Sequence, residues 1–229
     1  MLIDAVLVGT PQPLGPKGVP SSIAAREPMT GPVPVGELGL MGDQVGDPKV
    51  HGGPEKAVHL YPSDHYAAWA AEQPAMAPLL GAPGAFGENL SVAGVTEGDV
   101  CLGDVVRVGT ALLQVCQTRQ PCWKLGARFG IPELPRLFQR TGRTGWYYRV
   151  LEPGALSAGE RLEPVERPNP AWPLSRVIAT LYDRTLDTTA LADLAACAGI
   201  SANLKALTLR RIETSAVEDW SRRLDGVGA

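Results

Sequence analysis

Val105-Val106-Arg107-Val108-Gly109-Thr110-Ala111-Leu112-Leu113-Gln114-Val115-Cys116 runs straight into Gln117-Thr118-Arg119-Gln120-Pro121-Cys122-Trp123-Lys124-Leu125. The first part reads as a β-hairpin, two apolar runs about Gly109-Thr110, with the glycine at the first position of a tight II′ turn. Its second strand ends where a cysteine set between two cations begins. A rigid strand would therefore deliver Gln117, Arg119 and Cys122 to a sheet edge as a loop-to-helix site. Pro121 is favoured at the first position of a helix, which puts Cys122 in the first turn, where unpaired N–H groups and the helix dipole favour negative charge. Arg119 and Lys124 push the same way. Reactive or metal-binding cysteines occupy such electropositive settings; the competing reading is an ordinary packed thiol.

With 229 residues the chain can bury a real core. It is 45% hydrophobic and 20% charged, and its 26 Gly and 21 Pro imply many turns and hence much β-structure. A net charge of -3 supplies no global basic field, so nucleic acid is not an expected partner, whereas a small anion remains open. The N-terminal Met1-Leu2-Ile3-Asp4 lacks a charged leader, and no apolar run reaches membrane-spanning length, so a cytoplasmic protein without a membrane partner is expected. Cysteines at 101, 116, 122 and 197 are too few and too unpatterned for a disulfide framework and are read as thiols. With three histidines, no C-x-x-C and no H-E-x-x-H, a protein-ligated zinc site is disfavoured.

Ile3 to Val8 reads as a strand, Thr10 to Pro20 as a Pro/Gly loop carrying Lys17, and Ser21 to Ala25 as the next strand. Gly31 to Asp43 should form loops and short edge strands. In Lys49-Val50-His51-Gly52-Gly53-Pro54-Glu55-Lys56 two glycines could form an anion-binding nest ringed by Lys49, His51 and Lys56, or a plain turn between strands. Ala57 to Tyr61 alternates as a strand, Ser63 to Ala70 as a short helix with a structural His65. Glu88 and Asn89, taken singly, are turn residues as readily as ligands. After Cys122 one helix should stop at Gly130 and another run from Pro132 to Gly142; Trp146 to Leu151 is an aromatic strand, read as core. Beyond Arg167 the period becomes helical, with stripes at Leu174/Val177/Ile178/Leu181 and Leu191/Leu194/Ala195, and a third helix capped by Ser201. Arg210-Arg211 and Arg222-Arg223 read as a solvated helix end. The predicted architecture is mainly β with a few short helices, a β-barrel-like domain over 1–167 and a small three-helix module over 168–229 that docks on that domain or on a second subunit, which is compatible with a homodimer.

Taken together, the ordered motifs Glu37-Leu38-Gly39-Leu40 with Gly42-Asp43, Lys49-Val50-His51-Gly52-Gly53-Pro54 with Lys56-Ala57, Phe86-Gly87-Glu88-Asn89-Leu90-Ser91, Gly103-Asp104, Gln117 with Arg119 and Pro121-Cys122, Lys124-Leu125, Thr141-Gly142 and Gly145-Trp146 resemble the molybdenum cofactor sulfurase C-terminal (MOSC) domain family. The helical tail is similar to the extension of its YiiM-like branch. The resemblance implies a β-barrel-like fold, a bound molybdenum cofactor (molybdopterin) with Cys122 as the protein ligand to molybdenum, and reduction of N-hydroxylated substrates such as hydroxylaminopurine-type bases by electrons from a separate flavoprotein. Some family members are described instead as sulfur-handling or pyridoxal-phosphate-associated domains.

Under that resemblance the chemistry of the residues is coherent. A metal-bound thiol is deprotonated, and a single protein cysteine is natural when a cofactor brings most of the ligands. The pterin phosphate would be met by His51, Gly52, Gly53, Lys56, Arg119 and Lys124, with Gln117 beside them and with Lys17 and Ser22 carried over from the N-terminal loop. Glu88 and Asn89 would hold the pterin edges, and protons would come from water or from a nearby donor such as His59 or Asp43. Two other readings compete: a sulfur-transfer protein with a persulfide on Cys122, and a non-catalytic cofactor carrier.

Overall fold

A computed structural model describes residues 1–183 and 186–226 of the chain. In chain order the strands are β1 (Ile3–Gly9), β2 (Gln12–Leu14), β3 (Val19–Ser21), β4 (Arg26–Pro28), β5 (Val33–Gly36), β6 (Gly39–Leu40), β7 (Val58–Pro62), β8 (Leu90–Val92), β9 (Val105–Val108), β10 (Ala111–Thr118), β11 (Trp146–Glu152), β12 (Gly154–Leu156) and β13 (Glu163–Glu166). The helices are α1 (Pro48–His51), α2 (Asp64–Glu72), α3 (Trp123–Phe129), α4 (Leu134–Thr141), α5 (Leu174–Tyr182), α6 (Thr188–Ala195), α7 (Ala202–Thr214) and α8 (Ser221–Asp225). Among the described residues no helix is long and apolar enough to cross a membrane.

Eight strands form one mixed sheet in the order β13-β9-β10-β11-β7-β8-β1-β4, curved into a half-barrel, with β12-β5-β6 as a second small sheet and β2-β3 as a hairpin. All neighbours in the large sheet are antiparallel except β7 and β8. The β9–β10 hairpin forms as its sequence predicts. Gly109 turns at φ +54, and a Cβ there would lie 2.3 Å from the Ala155 carbonyl oxygen, so only glycine fits.

Alternation along the strands separates two cores. Val58 and Leu60 of β7 and Ala111, Leu113 and Val115 of β10 fill the barrel interior. Tyr61, from the opposite face of β7, joins Trp69, Met76, Phe86 and Phe138 in a second cluster under α2, α3 and α4. Strand β7 is thus covered on both sides, which fixes the rows that border the cleft. In β10 the register skips between Val115 and Gln117, so Cys116 is the extra residue of a bulge, and the strand is re-aimed just before the cysteine loop.

Several expectations change. Residues Thr10 to Pro20 are not a featureless loop but mostly the β2–β3 hairpin, and the strand expected over Ser21 to Ala25 ends at Ser21 in a turn. Cys122 is the N-cap of α3 rather than a first-turn residue, with extended φ -141 and ψ 167, and Pro121 precedes the cap. Of the two arginine pairs read as a solvated helix end, Arg210 and Arg222 are exposed, whereas Arg211 and Arg223 are not. Arg211 is 1% exposed and ties the carbonyls of Thr180 and Leu181 to Glu218, while residues 221–225 form the additional short helix α8.

Candidate active site at the cysteine loop

The sheet edge, α1 and the β2–β3 hairpin enclose a cleft with a narrow inner recess of about 60 Å³ and an outer cavity of about 690 Å³. His51, Cys122 and Lys124 belong to both walls. Among the described residues the recess is lined by Arg26, Lys56, Arg119 and Lys124 and by no carboxylate, so a chain of net charge -3 concentrates positive potential at this one place.

Each cation is held from behind. The Lys124 ammonium donates to the Pro20 carbonyl at 3.2 Å, and the Lys56 ammonium to the Val50 carbonyl. Burial, with Arg223 next in weight, pulls the Lys56 ammonium below its ordinary range. The Arg119 backbone N–H donates to the Gly145 carbonyl at 3.0 Å, which seats the residue as β10 ends. Its guanidinium is buried, and Nη1 has no hydrogen-bond partner in the protein. A buried cationic donor without an acceptor is costly, so the position is explained if an anion meets it.

Cys122 sits at the junction of recess and cavity, half-buried, whereas Cys101, Cys116 and Cys197 are buried. His51 Nε2 lies 3.7 Å from Cys122 Sγ, a pairing that the spacing of 71 residues does not advertise. Burial first, then Lys124, Arg223, Lys56 and Arg119, pushes the His51 imidazole down to about 3. The imidazole is therefore neutral beside the thiol and acts as a polar neighbour, not a counter-ion. Gln117 donates from its side chain to the Glu55 carbonyl at 2.7 Å and lines the rear of the site beside Arg119, and Ser22 lines the recess.

Other expected site residues are placed differently. Gly52 and Gly53 make no open nest: the N–H groups of His51 and Gly52 already donate to Asp47 and Pro48 to close α1, and Gly53 takes φ +94 as the chain enters a 3-10 turn. Lys17 lies at the exposed tip of the β2–β3 hairpin and does not line the cleft. Glu88, fully buried, accepts from the Gly84 and Phe86 N–H groups at 2.8 and 3.1 Å and from the Tyr66 hydroxyl, so it shapes the 84–88 loop rather than facing a ligand. Asn89 accepts from the His59 N–H and donates to the Leu7 carbonyl and Asp43, which uses its amide inside the protein. Asp43, expected as a proton donor, holds Arg26 through two carboxylate contacts and accepts from Gly9 N.

His59 does line the recess, its ring tilted 34° against that of Tyr147 with centroids 4.9 Å apart. Burial, then Arg119, holds its imidazole well below the ordinary histidine range, so it carries no extra proton to deliver at neutral pH. The same shift makes a stability prediction. The folded value lies below the unfolded 6.5, so as pH falls below that value the unfolded chain binds a proton that the folded chain refuses, and stability drops. Above about pH 7 this contribution disappears. Urea unfolding at pH 7.5 and pH 5 should show a smaller loss in His59→Gln than in the parent; equal losses would remove His59 as a cause.

Arg26 and Tyr147 are cleft residues that no motif marks in the sequence, and Arg223, expected in a solvated helix end, joins them. Arg26 follows a turn and carries no motif. Tyr147 was hidden in an aromatic strand whose neighbours Trp146 and Tyr148 are indeed core, and only the alternation of β11 marks it as facing the other way.

The sequence and the fold match known proteins. The MOSC domain model matches residues 47–163, and the YiiM-like, 3-alpha helix domain model matches residues 172–215. The chain is 42% identical to Protein YiiM of Escherichia coli (strain K12) over 92% of its own length and 93% of that protein's. It is 38% identical to a protein named Reductase from Gibberella moniliformis over 76% of this chain, which spans only 31% of that longer protein. The crystal structure of YiiM from Escherichia coli superposes with a TM-score of 0.81 at 35% identity, covering 98% of each chain. A half-barrel bearing a cationic cleft with one accessible cysteine, followed by packed C-terminal helices, together with these matches, makes the chain a member of the MOSC domain family, in its YiiM-like branch.

Proposed function

We propose that the protein is a molybdenum-cofactor-dependent oxidoreductase that reduces N-hydroxylated compounds, hydroxylaminopurine-type bases among them, with Cys122 as the protein ligand to molybdenum. The observation that carries this reading is the buried, partnerless Nη1 of Arg119 in the recess that Cys122, Lys56 and Lys124 also line. It supports an anionic group bound beside the thiol. The donor set points the same way. Among the described residues no cluster of three or more His, Cys, Asp or Glu could hold a metal ion, so a metal at Cys122 needs a group that brings its own ligands. A relative named Reductase favours the oxidoreductase class.

Arg119, Lys56, Lys124 and Ser22 would hold the phosphate, with His51 and Gln117 at the rim. When bound, the cofactor supplies a two-electron couple at the metal. The chain's own residues would bind and orient: the cations fix the anionic end, Arg26 and Tyr147 wall the recess, and the outer cavity would admit a planar substrate toward Cys122. Reduction of R–NHOH breaks the N–O bond and consumes two electrons and two protons, giving R–NH₂ and water. A separate flavoprotein would supply the electrons. Because burial holds the His59 imidazole well below its ordinary range and Asp43 is paired with Arg26, water entering the outer cavity would be the proton source.

The test is anaerobic incubation of molybdenum-loaded protein with 6-hydroxylaminopurine and a chemical electron donor. Formation of adenine with turnover beyond one equivalent is expected. Cyanide-releasable sulfur on Cys122 without turnover would replace this reading with sulfur transfer, and transfer of the cofactor to an apo-enzyme without turnover would make the protein a carrier.

A further inference from the structure

The loop between β10 and α3 presents three consecutive carbonyls, of Arg119, Gln120 and Pro121, that no helix or strand ladder satisfies. All three are taken by the C-terminal helices. The Tyr182 hydroxyl, at the end of α5, donates to the Arg119 carbonyl at 3.5 Å. Arg223 of α8 donates from Nη2 to the Gln120 carbonyl at 2.8 Å and from Nε to the Pro121 carbonyl at 3.1 Å. These are the residues immediately before Cys122. Arg223 is itself locked in place. Trp220, 7% exposed, packs edge-on against Tyr182 with centroids 6.0 Å apart, and the Arg223 N–H donates to the Trp220 carbonyl. The Arg211–Glu218 pair then ties the segment leading into α8 back to the end of α5.

The same helices grip the opposite wall. The Ala202 N–H at the start of α7 donates to both carboxylate oxygens of Glu55, at 2.9 and 3.1 Å, and the Glu55 carbonyl receives Gln117. The Ser201 N–H donates to the Cys116 carbonyl at 2.9 Å, on the bulged residue of β10. Two of the segments that form the site, 51–56 and 116–122, are therefore braced from behind by the C-terminal helices. Arg223 alone among these braces also reaches the cleft, lining the outer cavity and the small recess beside Arg119 and Gln117.

We propose that Arg223 is a positioning residue of the site: its fork on two successive carbonyls sets the backbone of residues 120–121, so that Arg119 and Cys122 face the same anion. The C-terminal helices are then part of the active site rather than an appendage. The inference rests on the cleft being an anion site, but not on the identity of the metal or the substrate. A planar guanidinium suits this task because it offers fixed, diverging donors, which an ammonium lacks.

Inorganic phosphate is the probe, titrated calorimetrically into the full-length apoprotein at low ionic strength. Arg223→Gln and Arg223→Lys are both expected to weaken phosphate by about fivefold or more, the scale of one misaligned charge-assisted hydrogen bond. The comparison is Arg136→Gln, which removes the other ionic anchor of α8, the exposed pair with Asp225, without touching the loop, and should stay within about twofold of the parent. A lysine variant that binds like the parent would show that only charge matters and overturn the positioning role. An equal loss in Arg136→Gln would reduce the effect to general loosening of α8 and overturn it as well. A parent chain that fails to bind phosphate removes the premise and the proposal together. Phosphate binding with the expected pattern but no molybdenum in loaded protein would refute the proposed cofactor and leave the positioning role standing.

Discussion

Replacing Cys122 by alanine in protein produced with a full supply of molybdenum cofactor is expected to take the metal from about one per chain to near zero, while the fold is retained. The argument is geometric. Cys122 is the N-cap of α3 and is half-buried, and its side chain makes no capping bond to the helix, so the sulfur holds nothing in place that alanine would release. Among the described residues its sulfur has a single hydrogen-bond-range contact, with His51 at 3.7 Å, long even for a contact to sulfur. The three other cysteines are buried and cannot substitute: burial pushes Cys116 up to about 12 and Cys197 up to about 11, so neither offers a thiolate at neutral pH. Turnover of the hydroxylamine should fall with the metal, by more than about a hundredfold. Inductively coupled plasma mass spectrometry with a melting curve on the same sample checks both parts. Unchanged molybdenum in a folded Cys122→Ala chain would remove the cysteine from the ligand role and leave the cation cluster as the only anchor. Loss of metal together with loss of folding would instead show that the sulfur is structural.

What the sequence disclosed of this site follows from how local each determinant is. The β9–β10 hairpin, the glycine stops at Gly130 and Gly142 and the cap at Ser201 rest on contacts within a few residues, and all four form as read. The cleft assembles from β10, α1, the turn after β3 and α8, and no window of the sequence holds two of those together. Arg223 was visible as a charged pair with Arg222 but was indistinguishable from a solvated tail, because the carbonyls it serves lie 102 and 103 residues away. Asp43, Glu88 and Asn89 stand out as polar residues, but the roles expected of them, proton donor and pterin contacts, are not the ones their bonds within the protein show. The difference could not be read, since a carboxylate that binds a ligand and one that binds two backbone N–H groups leave the same trace in a sequence. In the folded chain all three serve the frame of the recess: Asp43 and Asn89 contact one another, and Asp43 holds Arg26.

Glu88 gives the second large effect, on stability rather than activity. Its side chain is fully buried and satisfies two backbone N–H groups and the Tyr66 hydroxyl. The loop it organises presents the Gly87 carbonyl, which accepts from both Arg26 Nη1 and His59 Nδ1 at the wall of the recess. Glu88→Ala leaves buried donors unpaired, at about 1–3 kcal/mol each, and opens a cavity, so a loss of about 3–5 kcal/mol is expected. For a chain of this size that lowers the melting temperature of the apoprotein by about 10 °C or more. Glu88→Gln keeps one acceptor and turns an NH₂ group toward backbone donors, so it should cost about 1–3 kcal/mol. A residue whose task was to hold a pterin edge would behave in the opposite way. The apoprotein would melt at the parent temperature in both variants, and only the added stability from bound cofactor would fall. Differential scanning calorimetry of apo and loaded samples therefore separates a frame residue from a ligand contact, and the three donors already converging on Glu88 place the expected loss in the apoprotein.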